Sequence, residues 1–154
     1  MRVSRALAMF GTISLIGVAC SDNTTGIPAG LEVFTATLNG ANERLTPVTT
    51  TATGTAIVTV LGNQLSWKVD ITSAIDSITA GHIHHAPSDS AGPVRVNFNV
   101  TATGAGFTGT ATQGSFTLTG DSVQTWLRQG NAYVNIHTKK NLGGEIRGTL
   151  VKVQ

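Results

Sequence analysis

Between Gln64 and Ile71 the chain alternates without a break. Leu65, Trp67, Val69 and Ile71 fall on one side; Gln64, Ser66, Lys68 and Asp70 fall on the other. A period of two belongs to an extended strand with one face on a core and one toward water; a helix would scatter these residues around its axis. The same period recurs in Val94–Val100, which places Val94, Val96, Phe98 and Val100 together. Thr55–Leu61 reads as the hairpin partner of Gln64–Ile71, joined through Gly62-Asn63, and Leu31–Leu38 as an opening strand that turns at Asn39-Gly40. Gly114–Thr119, Ala132–His137 and Glu145–Val153 supply the remainder. About eight short strands with glycine-rich corners make an all-β domain, a Greek-key β-sandwich or barrel. Composition fits: only 12% of residues are charged, and the 18 glycines suit tight corners between threonine-rich strands.

One short helix interrupts the strands. Asp121 is placed as its N-cap with Gln124 three residues on; Val123, Trp126 and Leu127 share a face, and Gly130 is placed just past its end. Trp126 is expected to lid one end of the domain.

The N-terminus reads as an address. Arg2 and Arg5 precede the apolar stretch Ala6–Val18, too short to span a bilayer, and Gly17-Val18-Ala19-Cys20 resembles the lipobox of bacterial lipoproteins. Residues 1–19 are therefore expected to be a signal peptide, residues 20–30 a lipidated Cys20 with its tether, and residues 31–154 one domain. Such a protein sits in a bacterial cell envelope, on the periplasmic or extracellular face, with membrane lipid as a partner through Cys20. Residues 1–19 carry Arg2 and Arg5 and no acid, so the 10 Lys+Arg and 8 Asp+Glu of the chain become eight of each in the mature form. A near-neutral domain lacks the basic footprint that nucleic-acid binding needs. Cys20 is the chain's one cysteine, so no disulfide forms within it and the core alone must hold the domain together.

The four histidines are placed unevenly. Three stand in His82-Ile83-His84-His85 and the fourth closes Tyr133-Val134-Asn135-Ile136-His137. On a strand, His82 and His84 share a face, as do Tyr133, Asn135 and His137. If the two strands are neighbours, three imidazoles converge. Two readings are open. Neutral imidazole is a common ligand of copper and zinc, and three such ligands make an open site whose nitrogens stand roughly 3–4 Å apart. Alternatively, the same rings hydrogen-bond to loop backbone and fix a corner. Glu145 and Arg147, two apart on one strand, share a face and are placed to pair. His85 faces away, as a surface or turn residue.

The blocks Gly81-His82-Ile83-His84, Tyr133-Val134-Asn135-Ile136-His137-Thr138 and Gly143-Gly144-Glu145-Ile146-Arg147-Gly148, in this order and spacing, resemble the CHRD domain family. These modules occur in chordin and in bacterial secreted proteins. The resemblance runs over essentially all of residues 31–152, with one departure at His85, where the family usually has glycine. It implies a fold and a location, and no established enzyme. A shorter likeness, His-x-His, then a late-strand His, then a downstream Arg, is similar to the Greek-key copper–zinc superoxide dismutases. It implies His82, His84 and His137 as copper ligands and Arg147 beside the copper. The dismutases hold a second metal with further ligands, and this chain has only His85 to spare. The leading expectation is a non-enzymatic binding or structural module with an unidentified protein or glycan ligand. The alternative is a copper- or zinc-binding domain, and remotely a redox enzyme at that metal.

Overall fold

The structure is a computed structural model that describes residues 26–75, 77–98, 100, 107–120 and 122–154. Its strands are β1 (Glu32–Asn39), β2 (Thr53–Leu61), β3 (Gln64–Ile75), β4 (Ile78–His85), β5 (Val94–Asn97), β6 (Phe107–Thr117), β7 (Ala132–Thr138), β8 (Ile146–Thr149) and β9 (Val151–Lys152). One helix, α1 (Ser122–Arg128), lies between β6 and β7. Cys20, the residues preceding it, and Asp121 lie outside the described residues.

All pairings are antiparallel, in the order β5-β4-β7-β8-β1-β2-β3-β6, with β9 also on β1. The β4–β7 and β3–β6 pairings join strands distant in sequence, which makes the connectivity Greek-key. The sheet curls until it nearly closes into a barrel. Trp67 on β3 stacks on Phe98, just past β5, with ring centroids 4.9 Å apart, so the two ends of the strand order meet across the interior. The alternation of Gln64–Ile71 does what its period demands: Leu65, Trp67, Val69 and Ile71 all enter the core, alongside Phe34, Val58, Ile83, Val134, Ile136 and Ile146.

Two expected strands come out differently. Val94–Val100 is strand only as far as Asn97: the register slips between Ile83 and His84 at its start, the N–H of Phe98 still donates to the Gly81 carbonyl (2.9 Å), and the chain then turns tightly, with the N–H of Val100 donating to the Phe98 carbonyl (2.9 Å). Val96 and Phe98 reach the core, whereas Val94 is 40% exposed on an edge strand. Glu145–Val153 divides at Leu150, whose N–H donates to Ala132 of β7 (2.9 Å): β8 before it lies between β7 and β1, and β9 after it pairs with β1.

Helix α1 ends as its sequence requires. Gly130 takes φ +71°, its N–H donates to Leu127, and the N–H of Asn131 donates to Trp126, a Schellman closure that glycine permits at least cost. Leu127 is the residue that enters the core. Trp126 instead lies half-buried against the ring of His85, with centroids 4.0 Å apart and planes 13° from parallel. Gln124 donates to the Gly62 carbonyl (2.8 Å), tying the helix to the β2–β3 hairpin.

Candidate metal centre

Every residue of β7 is buried, and this double burial builds the site. Val134 and Ile136 enter the barrel, while Tyr133, Asn135 and His137 point outward under loops. The register with β4 sets His84 opposite Tyr133, His82 opposite Asn135, and Ala80 opposite His137. His82 and His137 are thus diagonal neighbours, within reach of long side chains. On the other flank, Asn135 faces Arg147 of β8.

The three histidines converge. Nδ1 of His82 lies 3.0 Å from Nε2 of His137, and one ring nitrogen from each of His82, His84 and His137 lies within 4.8 Å of the others. They are the one such group of potential ligands among the described residues. Around a metal at 2.0–2.1 Å, ligand nitrogens stand roughly 3–4 Å apart, so the third ring needs to move by only about 1 Å to complete the set.

Backbone carbonyls hold the far side of two rings. Nδ1 of His84 donates to Gly92 (2.8 Å) and Nδ1 of His137 donates to Leu142 (2.9 Å). A carbonyl can only accept, so each Nδ1 carries the proton and each Nε2 is left with a lone pair. Nε2 of His137 takes the proton of His82 Nδ1; Nε2 of His84 is buried with no partner. A carbonyl on the non-ligating nitrogen is the arrangement that orients metal-binding histidines. Both readings of the sequence meet here: loop carbonyls hold one nitrogen of His84 and of His137, as a structural corner requires, and the other nitrogen of each ring is turned toward the cluster, as a ligand set requires.

Burial lowers the pKa of all three rings. His82 falls to about 4, chiefly by desolvation and further by the neighbouring His137 and His84. His84 and His137 also fall by desolvation, partly offset by the Gly92 and Leu142 carbonyls. Each ring therefore favours the neutral form, the one that ligates, more than a free imidazole does, and His82 keeps it down to about pH 4.

Behind the rings lies a buried polar layer. The Tyr133 ring stacks on His84, with planes 8° apart, and the Arg147 guanidinium carbon sits 3.4 Å from the centre of the Tyr133 ring. Because β4 and β8 flank β7 on opposite sides, the tyrosine ring separates Arg147 from His84. The dismutase likeness therefore does not extend to Arg147, which stands behind Tyr133 rather than beside the cluster. Arg147 and Glu145 do not pair either. Glu145 accepts from Thr138 (3.0 Å) and Asn141, whereas Arg147 donates to the carbonyl of Ser90 (2.7 Å). Burial pushes the Glu145 carboxyl up, but hydrogen bonds from Thr50, Asn141 and Thr138 outweigh it and leave its pKa lowered.

One residue of this layer carries no signal in the sequence pattern. Glu43, in the loop after β1, is 5% exposed and accepts from Nδ2 of Asn135 (3.3 Å). Its Oε1 and the Oδ1 of Asn135 are buried and unpartnered. Desolvation outweighs the nearby Arg147 and raises the Glu43 pKa to about 7. Gly144 makes this contact fit: at φ +135°, an added Cβ would lie 2.6 Å from both Glu43 Oε1 and Asn135 Oδ1. Glu43 lies in an aperiodic stretch, so only its loop's fold over β7 reveals it. His85, on the opposite face of β4 from His82 and His84, is committed to Trp126, and its φ is not positive, so a side chain is accommodated there without strain.

A single antiparallel barrel carrying a histidine cluster on its covered outer face defines the class. The family model for the CHRD domain matches residues 34–150, and the chain belongs to that family. No curated protein and no solved structure matches it.

Proposed function

We propose that this chain is a cell-envelope CHRD module, held to a bacterial membrane by lipid on Cys20, that binds a transition metal at His82, His84 and His137 without catalysing a reaction. The observation that carries the metal reading is the buried, unpartnered Nε2 of His84, fixed as an acceptor by the Gly92 carbonyl on Nδ1. A buried acceptor without a partner costs roughly 1–3 kcal/mol. A metal ion recovers that cost. Three neutral imidazoles suit copper or zinc better than magnesium or calcium, which take oxygen ligands.

A second metal site of the dismutase kind lacks ligands. The chain's four histidines leave only His85 outside the cluster, and its ring is stacked on Trp126. The envelope location rests on the lipobox-like Gly17-Val18-Ala19-Cys20. Calorimetric titration of the metal-free protein with copper(II) and zinc(II), wild type against His84→Ala, tests the site. Saturable binding of one equivalent in the wild type and its loss in the variant are expected. Equal binding in both rejects the site and leaves a module whose protein or glycan partner is bound without metal. Cys20→Ser is expected to release the protein from membranes, and unchanged fractionation contradicts the anchor.

A further inference from the structure

Arg147 is among the largest side chains withdrawn from water, at 2% exposure. No carboxylate lies within ion-pair distance of it among the described residues. A buried charge in that position demands other partners. Its Nη2 donates to the main-chain carbonyls of Ser90 (2.7 Å) and Pro87 (3.3 Å), with Ser88 at 3.5 Å, and its plane lies on the Tyr133 ring. All three carbonyls belong to the segment that leads from β4 to β5.

That segment runs on to Gly92, which touches the cluster twice. Its carbonyl accepts from Nδ1 of His84 (2.8 Å), and its N–H donates to the Tyr133 hydroxyl (3.1 Å). Gly92 also has no slack. A Cβ there would collide with the His85 carbonyl, so the backbone is seated directly against β4. The chain of contact is continuous: Arg147 holds residues 87–90, these place Gly92, and Gly92 decides which nitrogen of His84 bears the proton. His137 is held independently, by Leu142 on the β7–β8 loop.

We propose that Arg147, together with Tyr133, is a positioning residue of the histidine centre, acting through Gly92 to present Nε2 of His84 as a ligand. The consequence for metal affinity rests on the metal reading above; the orientation of His84 does not. Lysine at position 147 keeps the charge but lacks the planar fork that spans several acceptors and stacks on a ring.

The test is Arg147→Lys in the full chain, labelled with 15N-histidine and examined metal-free by NMR, then titrated with copper(II) and zinc(II). Wild-type His84 and His137 are both expected as single Nδ1–H tautomers. In Arg147→Lys, His84 is expected to become a tautomer mixture while His137 stays as it was, with a cooperative unfolding transition retained. Metal affinity is expected to fall about 10–100-fold, the usual cost of losing an outer-shell partner. A folded variant in which His84 keeps its wild-type tautomer, or in which both rings change alike, overturns the proposal. If Arg147→Lys does not fold, Tyr133→Phe carries the test, since it removes only the hydroxyl that accepts from the Gly92 N–H (3.1 Å) and donates to the Gly92 carbonyl (3.5 Å). A smaller change confined to His84 supports the proposal, and an unchanged His84 overturns it. If the wild type binds no metal, the metal reading fails, while the metal-free tautomers still decide the positioning role.

Discussion

The outward faces of β2–β3 and of β4–β7 obey the same alternation and meet different fates. On β2 and β3, Thr53, Thr55, Ile57 and Lys68 stand in solvent. Across the barrel, His84, Tyr133, Asn135 and His137 occupy equivalent outward positions and are almost fully buried. The difference lies in the connections. The β1–β2 loop brings Glu43, the β4–β5 segment brings Gly92, and the β7–β8 loop brings Leu142 and Gly144 over the second face. Water satisfies a threonine without asking anything of its neighbours. A covered polar group must find its partner in the protein, and an unmet one costs roughly 1–3 kcal/mol. The covered face is therefore the one where residue identity matters atom by atom, and the exposed face tolerates exchange.

This contrast can be broken from its strong end downward. Arg147→Leu leaves the Ser90 and Pro87 carbonyls without their donor and strips the Tyr133 ring of its stacked guanidinium, and is expected to destabilise by about 2–4 kcal/mol in urea unfolding, at roughly 1–3 kcal/mol per unmet acceptor. A loss under 1 kcal/mol would mean the layer is not held as described. Asn135→Ala removes the donor to Glu43 and is expected to cost about 1–3 kcal/mol by the same measurement.

Glu43→Gln sharpens the comparison through pH. Burial holds the Glu43 carboxyl at about 7 against an ordinary 4.5, so folding favours its protonated form. That stabilisation is full below pH 4.5 and is lost as pH rises through 7. The histidines work in the opposite sense. His82, lowered from 6.5 to about 4, contributes fully above pH 6.5 and loses its contribution as pH falls toward 4. Between these limits the two trends oppose each other. Glutamine removes the first, so the stability of the metal-free variant is expected to rise with pH between 4.5 and 6.5 more steeply than that of the wild type. Parallel profiles would show that Glu43 is not held neutral. At the weak end, Thr55→Ala on the exposed face is expected to change stability by less than about 0.5 kcal/mol. A larger loss would show that this face, too, is covered in solution.

Much of this was legible from parity alone. Gln64–Ile71 declared its core face, and the spacing of His82, His84 and His137 put the rings on common faces before any pairing was known. The neighbour relation was not in the pattern, because β4 and β7 are joined through the register of strands some fifty residues apart, Gly81 facing Ile136. Parity also placed Glu145 and Arg147 on one face and suggested a pair. Glu145 precedes β8, just after Gly144 at φ +135°, and that turn delivers it to Thr138 and Asn141 instead. Glu43 was invisible for a similar reason: loops have no period, and what a loop covers is decided by tertiary packing. The helix shows the same division. Its closure at Gly130 was readable from local chemistry, whereas the place of Trp126, outside the core and between His85 and Arg95, rests on tertiary neighbours that no helical period names.

The central claim is that the covered face of β4 and β7 holds a metal through His82, His84 and His137. Elemental analysis of the protein purified without an affinity tag, after exposure to copper and zinc and removal of excess metal, tests it most directly. About one equivalent of metal per chain in the wild type, and none in the His84→Ala, His137→Ala double variant, is the predicted result. A wild-type protein that emerges metal-free, or a double variant that retains the same content, contradicts it.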